Sequence, residues 1–412
     1  MAKKEKQVIT GLDLGTTKIC CVIAEVGEGG GLDIIGIGTH PSKGLNKGVV
    51  VNIESTVESI KSAVEEAELM AGVEIESAYV GIAGGHIKGF NSHGIIAVKN
   101  KEVTEMDKER VIEAAKAVAI PLDREVIHVI PQQFILDGQS GIKEPRGMSG
   151  VRLEARIHVI TGAVTSAQNI VRSVNRAGLD VDDIIVEQLA SAESVLDTDE
   201  RDLGVALVDI GGGTADLALF AEDSVRYTSV IAIGGNHITN DLAIGLRTPQ
   251  AEAEKIKRKY GCALSTLVKR DEQVEIPSMG GREPRIISRN VLSEIIEPRV
   301  DEIFQMIHRD LETSGYLGVI PSGLVITGGT AMLEGITDVA ERVFGLPVRR
   351  GNPKGVGGLV DVVNSPQYAT AVGLLLFGHR LQKLSGEPKP IKGRNMFNNI
   401  TDKMKGWIED FF

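Results

Sequence analysis

The chain is short of the residues that most often announce a function. Only three of its 412 residues are cysteine: Cys20, Cys21 and Cys262. Cys20 and Cys21 are neighbours in an apolar run and cannot easily pair, so the plain reading is buried thiols in a reducing compartment. No CxxC, HExxH or spaced Cys/His cluster occurs, which argues against a structural zinc site. There is no GxxxxGK[ST], so this is not a P-loop nucleotide hydrolase. No stretch reaches the ~18 apolar residues that span a bilayer. The opening MAKKEKQVIT is charged and lacks the apolar centre of a signal peptide. These absences predict a cytoplasmic chain whose membrane contact, if any, is peripheral. Excess positive charge is missing too: the formal net charge is −11, which argues against a general nucleic-acid binder. Aromatics make up 4% of the chain, with a single tryptophan, Trp407.

What is present is an ordinary globular composition, 42% apolar and 25% charged. At roughly 100–200 residues per domain, the length suggests two to four domains. QVITGLDLGTTKICCVIAEV reads as two strands around a Gly-Thr-Thr turn, and GLDIIGIGTHPS continues the sheet. STVESIKSAVEEAELMAG carries Val57, Ile60, Val64, Ala67 and Ala71 at helical spacing, with Gly72 as its stop. SAYVGIAGGH is a strand. Residues 85–160 read as an insertion: a strand at GIIAVKN, a helix opened by Thr104 with Asp107 three residues on, and further strands. His128 alternates there with apolar residues, as a sheet-face or core histidine does. A helix, a strand-to-helix segment and a second strand–turn–strand come next. GLDLGTTK and LVDIGGGTAD share one plan, apolar–Asp–apolar–Gly–Thr, so two similar halves are expected. The second half holds a polar helix at RTPQAEAEKIKRKYG and short strands around Gly280-Gly281. Its long helix, RNVLSEIIEPRVDEIFQMIHRDLETSG, should kink or break at Pro298. An apolar helix, YATAVGLLLFGHRLQKL, ends the globular body. SGEPKPIKGRN then reads as a flexible linker.

Three glycine-rich turns carry the chemistry: Asp13 to Lys18, Asp209 to Asp216, and Thr327 to Thr330. Glycine lets backbone N–H groups approach phosphate oxygens, and threonine hydroxyls add donors. An aspartate at a strand end cannot bind phosphate, but it can hold Mg²⁺ through water. Any one turn is as readily a tight β-turn. Two Asp-Gly-Thr turns in a duplicated setting, with a Gly-Gly-Thr turn opening a helix, are not.

The three turns resemble the two phosphate motifs and the adenosine motif of the actin/Hsp70/sugar-kinase superfamily. Within it the chain is most similar to the FtsA family of bacterial cell-division proteins. That similarity runs through GLDLGTTK, HVIPQQFILDG, GIKEPRGMSGVRLEA, VDIGGGTAD, RKYGCALSTLV, EIPSMGGREPR, VITGGTAMLEG and the tail. The resemblance implies an actin-like α/β fold: two RNase-H-like domains around a nucleotide cleft, an inserted subdomain in each half, and a C-terminal amphipathic helix. Its boundaries would be 1–84 with 161–194 for the first core, 85–160 for its insert, 195–227 with 309–385 for the second core, and 228–308 for its insert. A linker at 386–395 and a membrane-targeting helix at 396–412 would complete the chain.

The resemblance also assigns roles. Asp13, Gly15, Thr16, Thr17 and Lys18 would face the β- and γ-phosphates of ATP. Asp209 would sit near Mg²⁺, as would Asp13, each through water. Gly211, Gly212, Gly213 and Thr214 would form the second phosphate hairpin, and Gly328, Gly329 and Thr330 would back the nucleoside. Glu252 with Lys255 or Lys259 would flank ribose and adenine, or else form a solvated face. Glu187 would orient the attacking water, or else be a helix-start acid stabilised by the dipole; ATP hydrolysis would be slow at most. The family's partners are the C-terminal peptide of FtsZ, later division proteins, copies of the chain itself and membrane lipid, not nucleic acid. Arg289, Arg299 and Glu302 are the expected FtsZ contact. A sugar kinase would need a sugar pocket with a catalytic aspartate, which nothing here identifies, and an Hsp70-type chaperone a β-rich domain after the body. A pilus-assembly relative is separated mainly by the tail.

That tail has its own pattern. On a helix, Met396, Phe397, Ile400, Met404, Trp407, Ile408, Phe411 and Phe412 form one wide apolar stripe. Asp402 and Glu409 balance Lys403 and Lys405, so membrane insertion would rest on the apolar face. The alternatives are docking on the protein's own core or in another protein's groove.

Overall fold

A computed structural model describes residues 7–269, 271–277 and 283–385. The expected linker at 386–395, the expected helix at 396–412 and the Gly280-Gly281 turn lie outside the described residues.

The first half opens with an antiparallel meander of β1 (Val8–Leu14), β2 (Lys18–Val26) and β3 (Leu32–Pro41). A two-residue ladder, β4 (Leu45–Asn46) with β5 (Val49–Val50), leads into α1 (Ile53–Ala71). The Asn52 side chain accepts from the Ser55 N–H at 3.0 Å and fixes the helix start before the Ser55 expected from periodicity. Gly72, at φ 68°, ends it. Glycines on β3 let α1 lie directly on the sheet. A Cβ at Gly38 would sit 1.9 Å from the Ala63 carbonyl oxygen. β6 (Ser77–Ile82) then adds in parallel on the far side of β1.

The insert builds its own antiparallel sheet from β7 (Lys88–Ala97), β8 (Arg124–Leu136), β9 (Gln139–Ile142) and β10 (Arg152–Ala163), in the order β7-β10-β8-β9. α2 (Glu105–Lys116) covers it and has the Thr104/Asp107 capping box. β7 starts six residues before GIIAVKN. Its early positions alternate weakly in polarity because they face the second half, where Asn91 reaches the Arg226 carbonyl at 3.1 Å. His128 is buried and accepts from the Val186 N–H at 3.0 Å; burial holds its pKa down at about 3. α3 (Val164–Ala177), β11 (Asp180–Val186) and α4 (Glu187–Val195) return to the first sheet, where β11 pairs in parallel with β6.

The second half repeats the plan. After α5 (Thr198–Leu203) comes a second meander, β12 (Val205–Ile210), β13 (Ala215–Ala221) and β14 (Ser224–Ile231). Its insert holds α6 (Gly235–Leu246), α7 (Gln250–Tyr260), the hairpin β15 (Gln273–Ile276) with β16 (Arg285–Ser288), and α8 (Arg289–Ser314). α8 runs through Pro298 without interruption. Ile296, Val300, Ile303, Phe304 and Ile307, on both sides of the proline, are buried in the second core. That packing outweighs the ~3 kcal/mol that an internal proline costs. β17 (Leu324–Thr327) joins β12 in parallel, and α9 (Ile336–Phe344) and β18 (Val348–Arg350) complete the sheet β14-β13-β12-β17-β18.

The second core does not keep the whole of 309–385, and the expected boundary is corrected. β19 (Gly357–Gly358) pairs with β3 of the first sheet, and after the short α10 (Val360–Val363), α11 (Ala369–Ser385) packs on that same sheet. Ala371, Leu374, Leu375 and Phe377 share one core with Ile9, Val22 and Tyr79. The chain therefore crosses between halves twice. α11 and α4 cross so closely that a Cβ at Gly373 would lie 1.8 Å from the Ala190 carbonyl oxygen. The three cysteines are buried and unpaired by disulfide. Among the described residues, no helix is long and apolar enough to cross a membrane.

The α4–α11 crossing sets a stability test. Gly373→Ala should lower the unfolding free energy by about 3 kcal/mol in urea titration, because backbone must move to admit the methyl group. Gly85→Ala, whose Cβ would meet nothing within 4 Å, should change it by less than about 0.5 kcal/mol.

Candidate functional site

The duplicated hairpins meet face to face. Gly15, Thr16 and Thr17 turn β1 into β2; Gly211, Gly212, Gly213 and Thr214 turn β12 into β13. A Cβ at Gly212 would stand 2.4 Å from the Thr17 methyl, and one at Gly213 would stand 2.8 Å from Thr16 Oγ1. A Cβ at either position would force a neighbouring group to move. Thr16 Oγ1 also accepts from the Gly48 N–H at 3.1 Å, tying the first turn to the β4–β5 ladder.

Beside the hairpins lies a cleft of about 1060 Å³. Its walls include Asp13, Gly15 to Lys18, Glu187, Asp209, Gly211, Gly212, Thr214 and Gly328 to Thr330, drawn from both halves. Gly213 packs behind the wall, on Thr16. The third turn sits under the second: Thr327 is in register with Asp209, and Thr330 Oγ1 donates to the Gly211 carbonyl at 2.9 Å. Gly328 has φ 86°, and a Cβ there would lie 2.3 Å from Asp209 Oδ1. This turn does not open an α-helix as expected. Gly329–Met332 form a 3₁₀ turn and α9 begins at Ile336.

Electrostatics is the cleft's main property. Asp13 and Asp209, in equivalent places on β1 and β12, are joined there by Asp216 and Glu187. Burial pushes the Asp13 carboxyl up to about 7; Lys18 opposes this and Asp209 adds to it. Burial also raises Asp216 to about 8, with Asp209 adding. The Glu187 pKa is driven well up by burial and then by Asp13, Asp216 and Asp209. Asp209 is raised by burial but eased by hydrogen bonds from Ser191 Oγ (2.5 Å) and Thr370 Oγ1 (3.1 Å). Desolvated acids around a single lysine favour a bound cation. Among the described residues no three Asp, Glu, His or Cys side chains form a metal cage, so a divalent cation here would keep several waters.

Two expected nucleoside contacts are corrected. Glu252 and Lys255 pair with each other at 2.7 Å and do not line the cleft. α7 presents Glu254, Lys257 and Arg258 instead, with Lys259 also at the wall. At 100° per residue, a shift of two positions along a helix changes the face. Lys257 Nζ bonds Glu254 at 2.7 Å and the Gly235 carbonyl at 3.0 Å.

Gly235 and Asn236, overlooked in the sequence, donate from the start of α6 to the Gly211 and Gly212 carbonyls at 3.0 and 2.8 Å. The Gly234-Gly235 pair ahead of a helix was the available signal. Asp216 was visible in its motif but not assigned.

The expected partner residues are already paired within the chain. Arg289 bonds Glu272 (2.7 Å) and Glu334 and lies at the cleft wall, whereas Arg299 holds Asp241 (2.5 Å) and Glu302.

Comparison with known proteins decides the family. Residues 206–373 match the family model described as Cell division protein FtsA, and residues 84–161 match the SHS2 domain inserted in FTSA. The cell division protein FtsA of Pseudomonas aeruginosa is 52% identical over 412 residues, covering 98% of each chain. The chain belongs to the FtsA family. Among solved structures, the PilM-PilN type IV pilus biogenesis complex aligns at TM-score 0.65 and 17% identity, covering 90% of this chain and 98% of the other. MreB5 of Spiroplasma citri bound to ADP aligns at 0.56 and 16%, covering 92% and 99%. These place the chain in an actin-like fold.

The acid cluster gives a pH dependence. Asp13 and Asp216 titrate near 7 and 8 when folded, but near 4 in an unfolded chain. Between those values the folded state holds protons that the unfolded state has released, so stability falls as pH rises. In magnesium-free buffer, Tm should drop from pH 6 to pH 8, and Asp216→Asn should lessen the drop. A wild-type Tm that rises over this range, or an equal drop in the variant, contradicts the assignment.

Proposed function

We propose that the chain is an ATP-binding, polymerising member of its family that works on the cytoplasmic face of the membrane at the division site. There it would tether FtsZ filaments and help recruit later division proteins. One observation carries the nucleotide part: two Asp-Gly-Thr hairpins, one from each half, close on a shared acid-lined cleft with a third glycine turn beneath.

The residues suit ATP with Mg²⁺. Backbone N–H groups of Gly15 to Thr17 and Gly211 to Gly213 would cradle phosphate oxygens. Lys18 would neutralise them, and Asp13 and Asp209 would hold the cation through water. Gly328 to Thr330 would back the nucleoside, with Glu254 and Lys257 at its edge. When bound, Mg²⁺ supplies charge neutralisation between the carboxylates and the phosphates. Glu187 would orient water for attack. Burial and the neighbouring Asp13, Asp216 and Asp209 carboxylates push its pKa well up, and a bound cation would oppose that.

The FtsZ C-terminal peptide would bind the second insert, on the α8 face that carries Arg299 and Glu302. Arg289 faces the cleft and is the weaker member of that set. Membrane attachment would come from the stripe Met396 to Phe412. At roughly 1.5–3 kcal/mol per buried large side chain, one tail binds reversibly, and assembly makes binding cooperative.

Trp407, the only tryptophan, reports on this directly. Its emission should shift to the blue when anionic vesicles are added, and more so with Mg·ATP. Emission that is already blue without lipid and unchanged by it would mean that the tail docks on protein, and the tether reading would fall.

A further inference from the structure

A loop outside the three glycine-rich turns lies against two of them. It runs from Ser42, just after β3, to Gly48, in the turn between β4 and β5. The Ser42 N–H donates to the Thr17 carbonyl at 3.0 Å, and Pro41, just before it, is the register partner of Lys18. At the other end the Gly48 N–H donates to Thr16 Oγ1 at 3.1 Å. Lys47 backs onto the second turn, where a Cβ at Gly213 would stand 2.9 Å from the Lys47 Cα.

The loop is firmly held. The Lys43 N–H donates to Ser59 Oγ of α1 at 3.2 Å. Lys47 and Gly48 have φ 49° and 77°, and a Cβ at Gly48 would lie 2.8 Å from the Ala83 carbonyl carbon. A lysine in the left-handed region is strained, and such strain persists only where the surroundings fix it. One group in this frame is left over. Ser42 lines the cleft, yet its Oγ is buried without a hydrogen-bond partner. Most buried polar groups are paired, so one that is not calls for a reason.

We propose that Ser42 is a nucleotide contact beyond the three turns, donating its hydroxyl to the terminal phosphate and so setting ATP apart from ADP. The proposal rests on the nucleotide reading above and deepens it. The Ser42 hydroxyl can turn about χ1 into the cleft without giving up a bond. Facing phosphate, it gains an anionic acceptor, the strong kind. Thr16 acts beside it: Gly48 already donates to the Thr16 oxygen, which leaves the Thr16 O–H to donate in turn. The position selects the last phosphate. The nucleoside turn, Gly328 to Thr330, belongs to the second half and is bonded to Gly211, whereas Ser42 stands on the first half against Thr17 and next to Lys18. A polyphosphate running from one to the other brings its terminal group to Ser42.

The test uses the full chain, with the affinities of Mg·ATP and Mg·ADP measured by calorimetry. Ser42→Ala should cut the ATP affinity about tenfold, the low end for a hydrogen bond to a charged group, and leave ADP within about twofold. Its Tm without nucleotide should match the wild type, because the hydroxyl holds nothing in the free protein. The wild type gives a second readout that needs no variant: amide exchange across residues 42–48 should be slower at saturating Mg·ATP than at saturating Mg·ADP. Absence of Mg·ATP binding to the wild type would overturn the nucleotide reading, and the proposal with it. An ATP-to-ADP affinity ratio unchanged in Ser42→Ala, whether both affinities hold or both fall, would overturn the proposal alone, as would equal exchange with the two nucleotides.

Discussion

The cleft depends on the contact between two glycine hairpins. With no Cβ at Gly212 or Gly213, the β12–β13 turn reaches the methyl and hydroxyl of Thr17 and Thr16. That approach brings two strand-end aspartates from different halves into one desolvated space. Asp216 and Glu187 enter it as well. Their raised pKa values result from this geometry: burial first, then one another. The same contact that shapes the cleft therefore gives it an appetite for positive charge.

A second constraint keeps the halves from being independent. α11 closes the first core, although it comes after the whole of the second half in sequence. β19 does the same at the edge of the first sheet. The α4–α11 crossing lies next to Asp209, since Ser191 and Thr370 approach it from the two helices. Packing at the crossing and hydrogen bonding in the cleft are thus one structure viewed from two sides.

The elements whose cause is local were legible in the sequence. The three turns need glycine for close approach and the Thr104 cap needs Asp107, and neither requirement depends on distant residues. Features set by tertiary contact were not legible. Nothing in the apolar run of α11 says which sheet it covers, so the expected boundary puts residues 357–385 in the wrong core. Pro298 signals a break, but the buried residues on either side of it hold the helix together. On α7, Glu252 and Lys255 are as polar as Glu254 and Lys257. Only the helix's rotation against α6, fixed by buried Ala253 and Ile256, decides which pair meets the cleft. Arg289 and Arg299 look like free charges for a partner because their acids, Glu334 and Asp241, lie more than forty positions away.

On the proposed reading, charge also constrains attachment. A net charge of −11 sets the chain against an anionic lipid surface, and the tail's two lysines are outnumbered by Asp402, Glu409 and Asp410. Attachment must then come from apolar area, which a single short helix supplies only in a reversible amount. Such a helix is easily tipped either way by a modest change in how many copies act together. On that reading the acids of the tail, Asp402, Glu409 and Asp410 against Lys403 and Lys405, would keep the membrane affinity of each copy low, so that the number of copies assembled would govern attachment.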